Sequence, residues 1–189
     1  MLLEKVKAVE TVFQRLDQEV ATFQSWSGLN CAAGCGKCCL KPDIESTILE
    51  FLPFALYLYS QNLAVTWLDR VQTSNSSICL ILSASVSGGG RCSEYKHRAL
   101  ICRLFGYSAR IDKHERRELM SCQVIKSEQG VQFAKASGEV LGGKFVPVMS
   151  HYYMQLRAID FELSREYFPI NEAIKRAIEV ILHYYAYRE

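Results

Sequence analysis

"NCAAGCGKCCLKP", residues 30–42, carries four cysteines in nine positions: Cys31, Cys35, Cys38 and Cys39. Only Ala, Gly and Lys separate them. Gly34 and Gly36 flank Cys35, so the stretch reads as a loop that interrupts helices, and a loop does not bury thiols for packing. Sulfurs at i, i+4 and i+7 with small residues between them can curl round one centre. The glycines also let the backbone approach closely and leave N–H groups to donate to thiolates. A tetrahedral zinc site or an iron–sulfur cluster takes four such ligands. The side chains of adjacent Cys38 and Cys39 are expected to diverge. One of them would then serve a second centre, bridge two metals or stay out of the set.

Four more cysteines follow: Cys79, Cys92, Cys102 and Cys122. Eight thiols are enough for two four-ligand sites, and all lie between residues 31 and 122. Taken alone, Cys79 or Cys122 reads equally well as a small core residue. The chain has 189 residues, 49% apolar and 22% charged, with a formal net charge of +2. That composition fits one globular domain and gives no global electrostatic reason for a nucleic-acid or membrane partner. Glu4, Lys5 and Lys7 stand where an export signal would be apolar. The longest apolar run, residues 48–59, falls short of the about 20 residues of a membrane span. The expectation is a cytoplasmic protein with reduced thiols, where cysteines bind metal or react rather than form a disulfide framework.

Outside the loop the pattern is helical. Leu2, Val6, Val9, Phe13, Leu16, Val20 and Phe23 repeat at steps of 4 and 3 and predict one long amphipathic helix over residues 1–27. Its stripe either docks on the chain's own core or forms a homodimer or protein-partner contact. "SGLN" at 27–30 ends it. Asp43 is the expected N-cap of a second, buried helix kinked at Pro53. A third helix over Ala64–Thr73 would present Val65, Leu68 and Val71. Ile78–Leu82 and the turn "SGGG" at 87–90 predict a small β-hairpin with Cys79 and Cys92 on its arms. Helix formers fill 113–137, 138–148 reads as loop, Ser150 is the expected cap of a helix to about Ser164, and Pro169 opens a last helix along Ile170, Ile174, Ile178, Ile181 and Tyr185. The expected fold class is therefore mainly α: a single helical domain with irregular cysteine-rich loops and a small hairpin. Residues 28–189 form the metal-binding part.

The cysteines and their surroundings resemble the CxxCxxCC, or YkgJ-like, cysteine-cluster family of zinc- or iron-chelating proteins. Cys31, Cys35, Cys38 and Cys39 match its opening loop. Cys79, then Cys92 with Tyr95, then Arg98, Cys102 and Arg103 with Phe105, and finally Cys122 follow in the family's order. Ala99 stands where the family usually has proline. The resemblance spans about residues 30–125 and implies that all eight cysteines are candidate metal ligands. A related cysteine-rich part of flagellin lysine N-methylases implies an iron–sulfur cluster or iron ahead of zinc. No strand, glycine-rich turn and acidic residue for a methyl donor accompany it here, so that activity is not carried over.

Between Arg91 and Glu118 eight Lys or Arg residues stand against four acids. Arg98 and Arg103 are the expected second-shell cations, offsetting thiolate charge. Lys113, Arg116 and Arg117 are interrupted by acids and read as a solvated face rather than a nucleic-acid patch. His97 and His114 are weak substitute ligands; His151 and His183 are expected to be partly buried among tyrosines. Cys31-x3-Cys35-x2-Cys38 has the spacing of radical S-adenosylmethionine enzymes, but the repeated strand–helix units of that class are missing. Three roles stay open: a cluster- or iron-binding protein in redox, sensing or metal handling; a structural zinc module for protein partners; and a thiol–disulfide redox protein or other enzyme using Cys35-Gly-Lys-Cys38.

Overall fold

The computed structural model describes residues 1–32, 34–84 and 90–187. The fold is mainly α, with three two-stranded antiparallel sheets among these residues. Helix α1 runs over Leu2–Ser27 as its heptad stripe predicts. Val6, Val9, Phe13, Leu16 and Phe23 are buried within the chain, so the stripe is covered by the protein's own elements.

The chain divides into two compact units. The first comprises residues 1–10, 33–99 and 156–189; the second comprises 11–32 and 100–155. In the first, strand β1 (Glu45–Ser46) leads into helix α2 (Ile48–Ser60), followed by α3 (Ala64–Thr73). Thr47, not Asp43, caps α2. The Glu50 carboxylate accepts from the Thr47 N–H at 2.9 Å and its hydroxyl at 3.1 Å. That reciprocal start was legible as T-x-x-E at 47–50. Helix α2 continues through Pro53. On α3 the buried side chains are Ala64 and Val71, with Val65 exposed, so the inward face is turned from the expected one.

Strands β2 (Leu82–Ala84) and β3 (Gly90–Cys92) form the expected hairpin, pairing Leu82 with Cys92 and Ala84 with Gly90. The first arm begins later than the sequence suggests. Residues 79–82 form a turn instead, closed by Leu82 N–H to the Cys79 carbonyl at 3.1 Å. The predicted turn at 87–89 lies outside the described residues. A short 3-10 turn, η1 (Tyr95–His97), ends this segment.

The second unit holds α4 (Leu100–Leu104), strands β4 (Ser108–Ile111) and β5 (Arg117–Met120), α5 (Gln123–Glu128) and α6 (Gly130–Leu141). The β4–β5 hairpin replaces the helix that the helix formers from Lys113 suggest. Asp112 makes it: its carboxylate accepts from the N–H groups of His114 and Arg116 and closes the connection. Phe23, Leu29, Tyr107, Ala109, Leu119, Ile125, Ala136, Val140 and Val146 form the core here. Gly138–Leu141, read as loop from sequence, continue α6 because Val140 is needed in that core.

The predicted helix from Ser150 is two helices, α7 (Met149–Ile159) and α8 (Phe161–Ser164). Asp160 separates them by accepting from the Leu163 N–H at 3.0 Å, an N-cap placed mid-pattern. Strand β6 (Phe168–Pro169) pairs with β1, and α9 (Ile170–Ala186) follows directly. Within the first unit α9 packs on α2 and α3. Its Ile170, Ile174, Ile178 and Ile181 are buried as predicted, and Tyr185 stacks on Tyr59 at 4.1 Å.

Candidate metal centre

Two glycines seat the cysteine loop on the hairpin. Gly34 (φ +73°) and Gly36 (φ +53°) both adopt the left-handed region that L side chains avoid. The Gly90 N–H donates to the Gly34 carbonyl at 3.3 Å. A Cβ on Gly36 would meet the Gly90 carbonyl oxygen and stand 2.6 Å from its carbon, so only glycine fits. The loop backbone therefore lies directly on β3, the strand that ends in Cys92.

After Gly36 the chain turns tightly. Cys39 N–H donates to the Gly36 carbonyl at 2.9 Å, and Lys41 N–H to the Cys38 carbonyl at 3.4 Å. This turn brings the Cys38 and Cys39 sulfurs to 3.9 Å, within thiol hydrogen-bond reach. The sequence expectation that adjacent side chains diverge is corrected. In a tetrahedral site with metal–sulfur bonds of about 2.3 Å, neighbouring sulfurs are about 3.8 Å apart. The pair already has that spacing.

Cys79 is held in place from two sides. Asn171, in the first turn of α9, donates to the carbonyls of Ser76 and Ile78, each at 2.9 Å, and accepts from the Leu80 N–H at 3.0 Å. Arg70 on α3 donates to the Leu80 carbonyl at 2.9 Å. Asn171 clasps the backbone on both sides of Cys79 and Arg70 on one, and the sequence singles out neither. No local motif marks them, since the partners are distant in the chain.

The thiols differ in acidity. Hydrogen bonding from Cys39 lowers Cys38 to about 6, and the Arg98 guanidinium adds to the effect. Burial raises Cys79 to about 11. Burial also raises Cys92, against the pull of a backbone N–H and of Arg98. Cys38, Cys79 and Cys92 thus feel one another's charge, and Arg98 offsets part of it. Arg98 itself lies 3.5 Å above the Tyr95 ring.

Among the described residues, no three His, Cys, Asp or Glu side chains already converge as a finished ligand set. The fit to a thiophilic metal rests on donor chemistry, on the 3.9 Å pair and on the seat of the loop against β3, the strand that ends in Cys92. A family model described as "Putative zinc- or iron-chelating domain" and named CxxCxxCC matches residues 30–130. The chain belongs to the CxxCxxCC family. No curated protein and no solved structure matches it.

The CxxCxxCC region spans both compact units. Cys35, Cys38, Cys39, Cys79 and Cys92 lie in the first, and Cys31, Cys102 and Cys122 in the second. All eight are thiols and none forms a disulfide. Within the second unit Cys31 N–H donates to the Tyr107 hydroxyl at 2.6 Å. Just before it, Asn30 exchanges backbone hydrogen bonds with the Gln129 side chain. Cys122 caps α5, its sulfur accepting from the Ile125 N–H at 3.4 Å. Cys102 is half-buried on α4.

Of the two arginines expected to offset thiolate charge, Arg98 stacks on Tyr95, and its charge favours the thiolate forms of Cys38 and Cys92. Arg103 is almost fully buried, pairs with Asp17 and lies 4.6 Å over the Phe13 ring. His97 stacks on Tyr57 at 4.3 Å. His151 and His183 are exposed, contrary to expectation, because they sit on the outer faces of α7 and α9. No helix among the described residues is long and apolar enough to cross a membrane.

Proposed function

We propose that the chain binds an iron–sulfur cluster or iron through cysteine thiolates and acts in redox chemistry, sensing or metal handling. Cys38, Cys39, Cys79 and Cys92, with Cys35 on the same loop, are the leading donors. Cys31, Cys102 and Cys122 complete the ligand region 31–122 as a second group. The observation that carries the reading is the Gly36–Gly90 contact, which seats a four-thiol loop on the strand bearing Cys92. Cys79 would hold the metal as a thiolate, so binding would release the proton that burial keeps on it. Arg98 offsets the resulting negative charge. Most of the apolar stripe of the N-terminal helix is buried within the chain, so a homodimer through it is not part of the reading.

A structural zinc site is the second reading, favoured by the tetrahedral spacing of the Cys38–Cys39 sulfurs. Metal and acid-labile sulfide analysis of protein purified without oxygen, with a visible spectrum, decides between them. Iron with matching sulfide and absorbance in the visible supports the cluster. Zinc without sulfide supports the structural site. Neither metal, in protein whose thiols are reduced, overturns both.

A further inference from the structure

We propose that Cys38 and Cys39 form a peroxide-sensitive dithiol whose oxidation to an adjacent-residue disulfide removes two donors at once and releases the metal. The proposal rests on the metal-binding reading above and adds its regulation. Three features of the loop support it. The two sulfurs are 3.9 Å apart and in hydrogen-bond contact, held so by the turn from Gly36 to Lys41. Cys38 is exposed, so a dissolved oxidant reaches it, whereas Cys79 is buried. Within the turn the partner thiol is the next residue, so closure needs no movement of another element.

The chemistry balances with an organic or hydrogen peroxide as oxidant. The Cys38 sulfur attacks the peroxide, the O–O bond breaks, and a sulfenic acid and an alcohol or water form. The Cys39 sulfur then displaces hydroxide, which leaves as water once protonated, and the S–S bond forms. Two thiols lose two protons and two electrons; the peroxide gains them. Consecutive Cα atoms are about 3.8 Å apart, shorter than the about 4.4–6.8 Å usual for disulfide-linked residues. The bond is therefore strained and easily reduced, which suits a reversible switch rather than a permanent staple.

Trypsin reads the event directly. It cuts after Lys37 and Arg70 and spares Lys41 before Pro42, so one peptide, residues 38–70, contains Cys38 and Cys39 and no other cysteine. The full chain, metal-free and metal-loaded, is treated with stoichiometric hydrogen peroxide, alkylated and digested. The expected result is a 38–70 peptide lighter by two hydrogens and closed to alkylation, restored by dithiothreitol, with metal loss rising in step with it. A peptide cross-linked to another cysteine, over-oxidised to sulfinic acid or unchanged overturns the proposal. So does metal that stays bound after the disulfide has formed. A chain that takes up no metal overturns the proposed function instead, while the metal-free arm still decides whether the dithiol closes.

Discussion

Gly36 rests on the backbone of Gly90, so close that a methyl group on Gly36 would penetrate the Gly90 peptide. Both the cysteine loop and the hairpin depend on that contact for their mutual placement. Gly36→Ala therefore meets two obstacles. Its left-handed φ costs a side chain about 1–2 kcal/mol, and its Cβ collides with backbone, which cannot rotate aside. The expected outcome is a several-fold loss of bound metal with helical circular dichroism unchanged, because α2 and α9 do not use this contact. Gly34→Ala, with the same hand of backbone but open space around it, should show the milder loss. Equal metal content in Gly36→Ala and the parent would show that the loop does not need the hairpin.

Asn171 holds the segment containing Cys79 through three hydrogen bonds from the start of α9. At about 1 kcal/mol each, Asn171→Ala is expected to destabilise the protein by about 2–3 kcal/mol. Urea unfolding measures that cost. It should also make Cys79 reactive, since the thiol is buried only while its loop is fastened. Alkylation rates followed cysteine by cysteine test the second part. A Cys79 that stays as slow to alkylate as in the parent would mean that Arg70 alone keeps the turn.

Local pattern made much of this fold legible. The heptad stripe of α1 and the isoleucine ladder of α9 repeat within one element, and α3 has the expected bounds although its inward face is turned. What escaped depends on partners far along the chain or on turns without a glycine or proline signal. Lys113–Glu118 are good helix formers, yet Asp112 folds them into a hairpin with Glu115 at φ +61°. Thr47 and Glu50 outcompete Asp43 as a helix start through the T-x-x-E motif at 47–50. At the site, spacing pointed to the loop thiols and the family resemblance to the whole set of eight. It did not show that a turn would set Cys38 and Cys39 side by side, nor that Asn171 would fasten Cys79.

Arg98 and Arg103, both expected to offset thiolate charge, keep different partners within their own units. Arg98 acts on the thiols Cys38 and Cys92; Arg103 holds Asp17 from a buried position. Arg98→Gln is expected to weaken metal affinity with little change in Tm. Arg103→Gln should do the reverse. It loses a charge-assisted hydrogen bond of about 1.5–3 kcal/mol and the contact with Phe13, while metal stoichiometry holds. Chelator competition and thermal melts on the two variants separate the roles. Matching losses of metal affinity in both would return Arg103 to the metal site.

Lys5 and Asp160 tie the first turn of α1 to the start of α8 within one compact unit. Burial disfavours the Asp160 carboxylate, but hydrogen bonds from Lys5 and the Leu163 N–H outweigh it, so its pKa falls below the ordinary aspartate value. A depressed carboxyl stabilises the fold fully above its ordinary pKa. That contribution fades as pH falls from the ordinary value through the lower folded one. Asp160→Asn keeps an acceptor for the Leu163 N–H and still caps α8, yet it loses the charge opposite Lys5. The variant is therefore expected to melt below the parent at neutral pH, and the two curves should converge once the medium is more acidic than the folded carboxyl. Melting temperatures from pH 7 down to pH 2 provide the test. A gap that stays constant across the range would mean that the ion pair contributes nothing and that the loss lies in the cap.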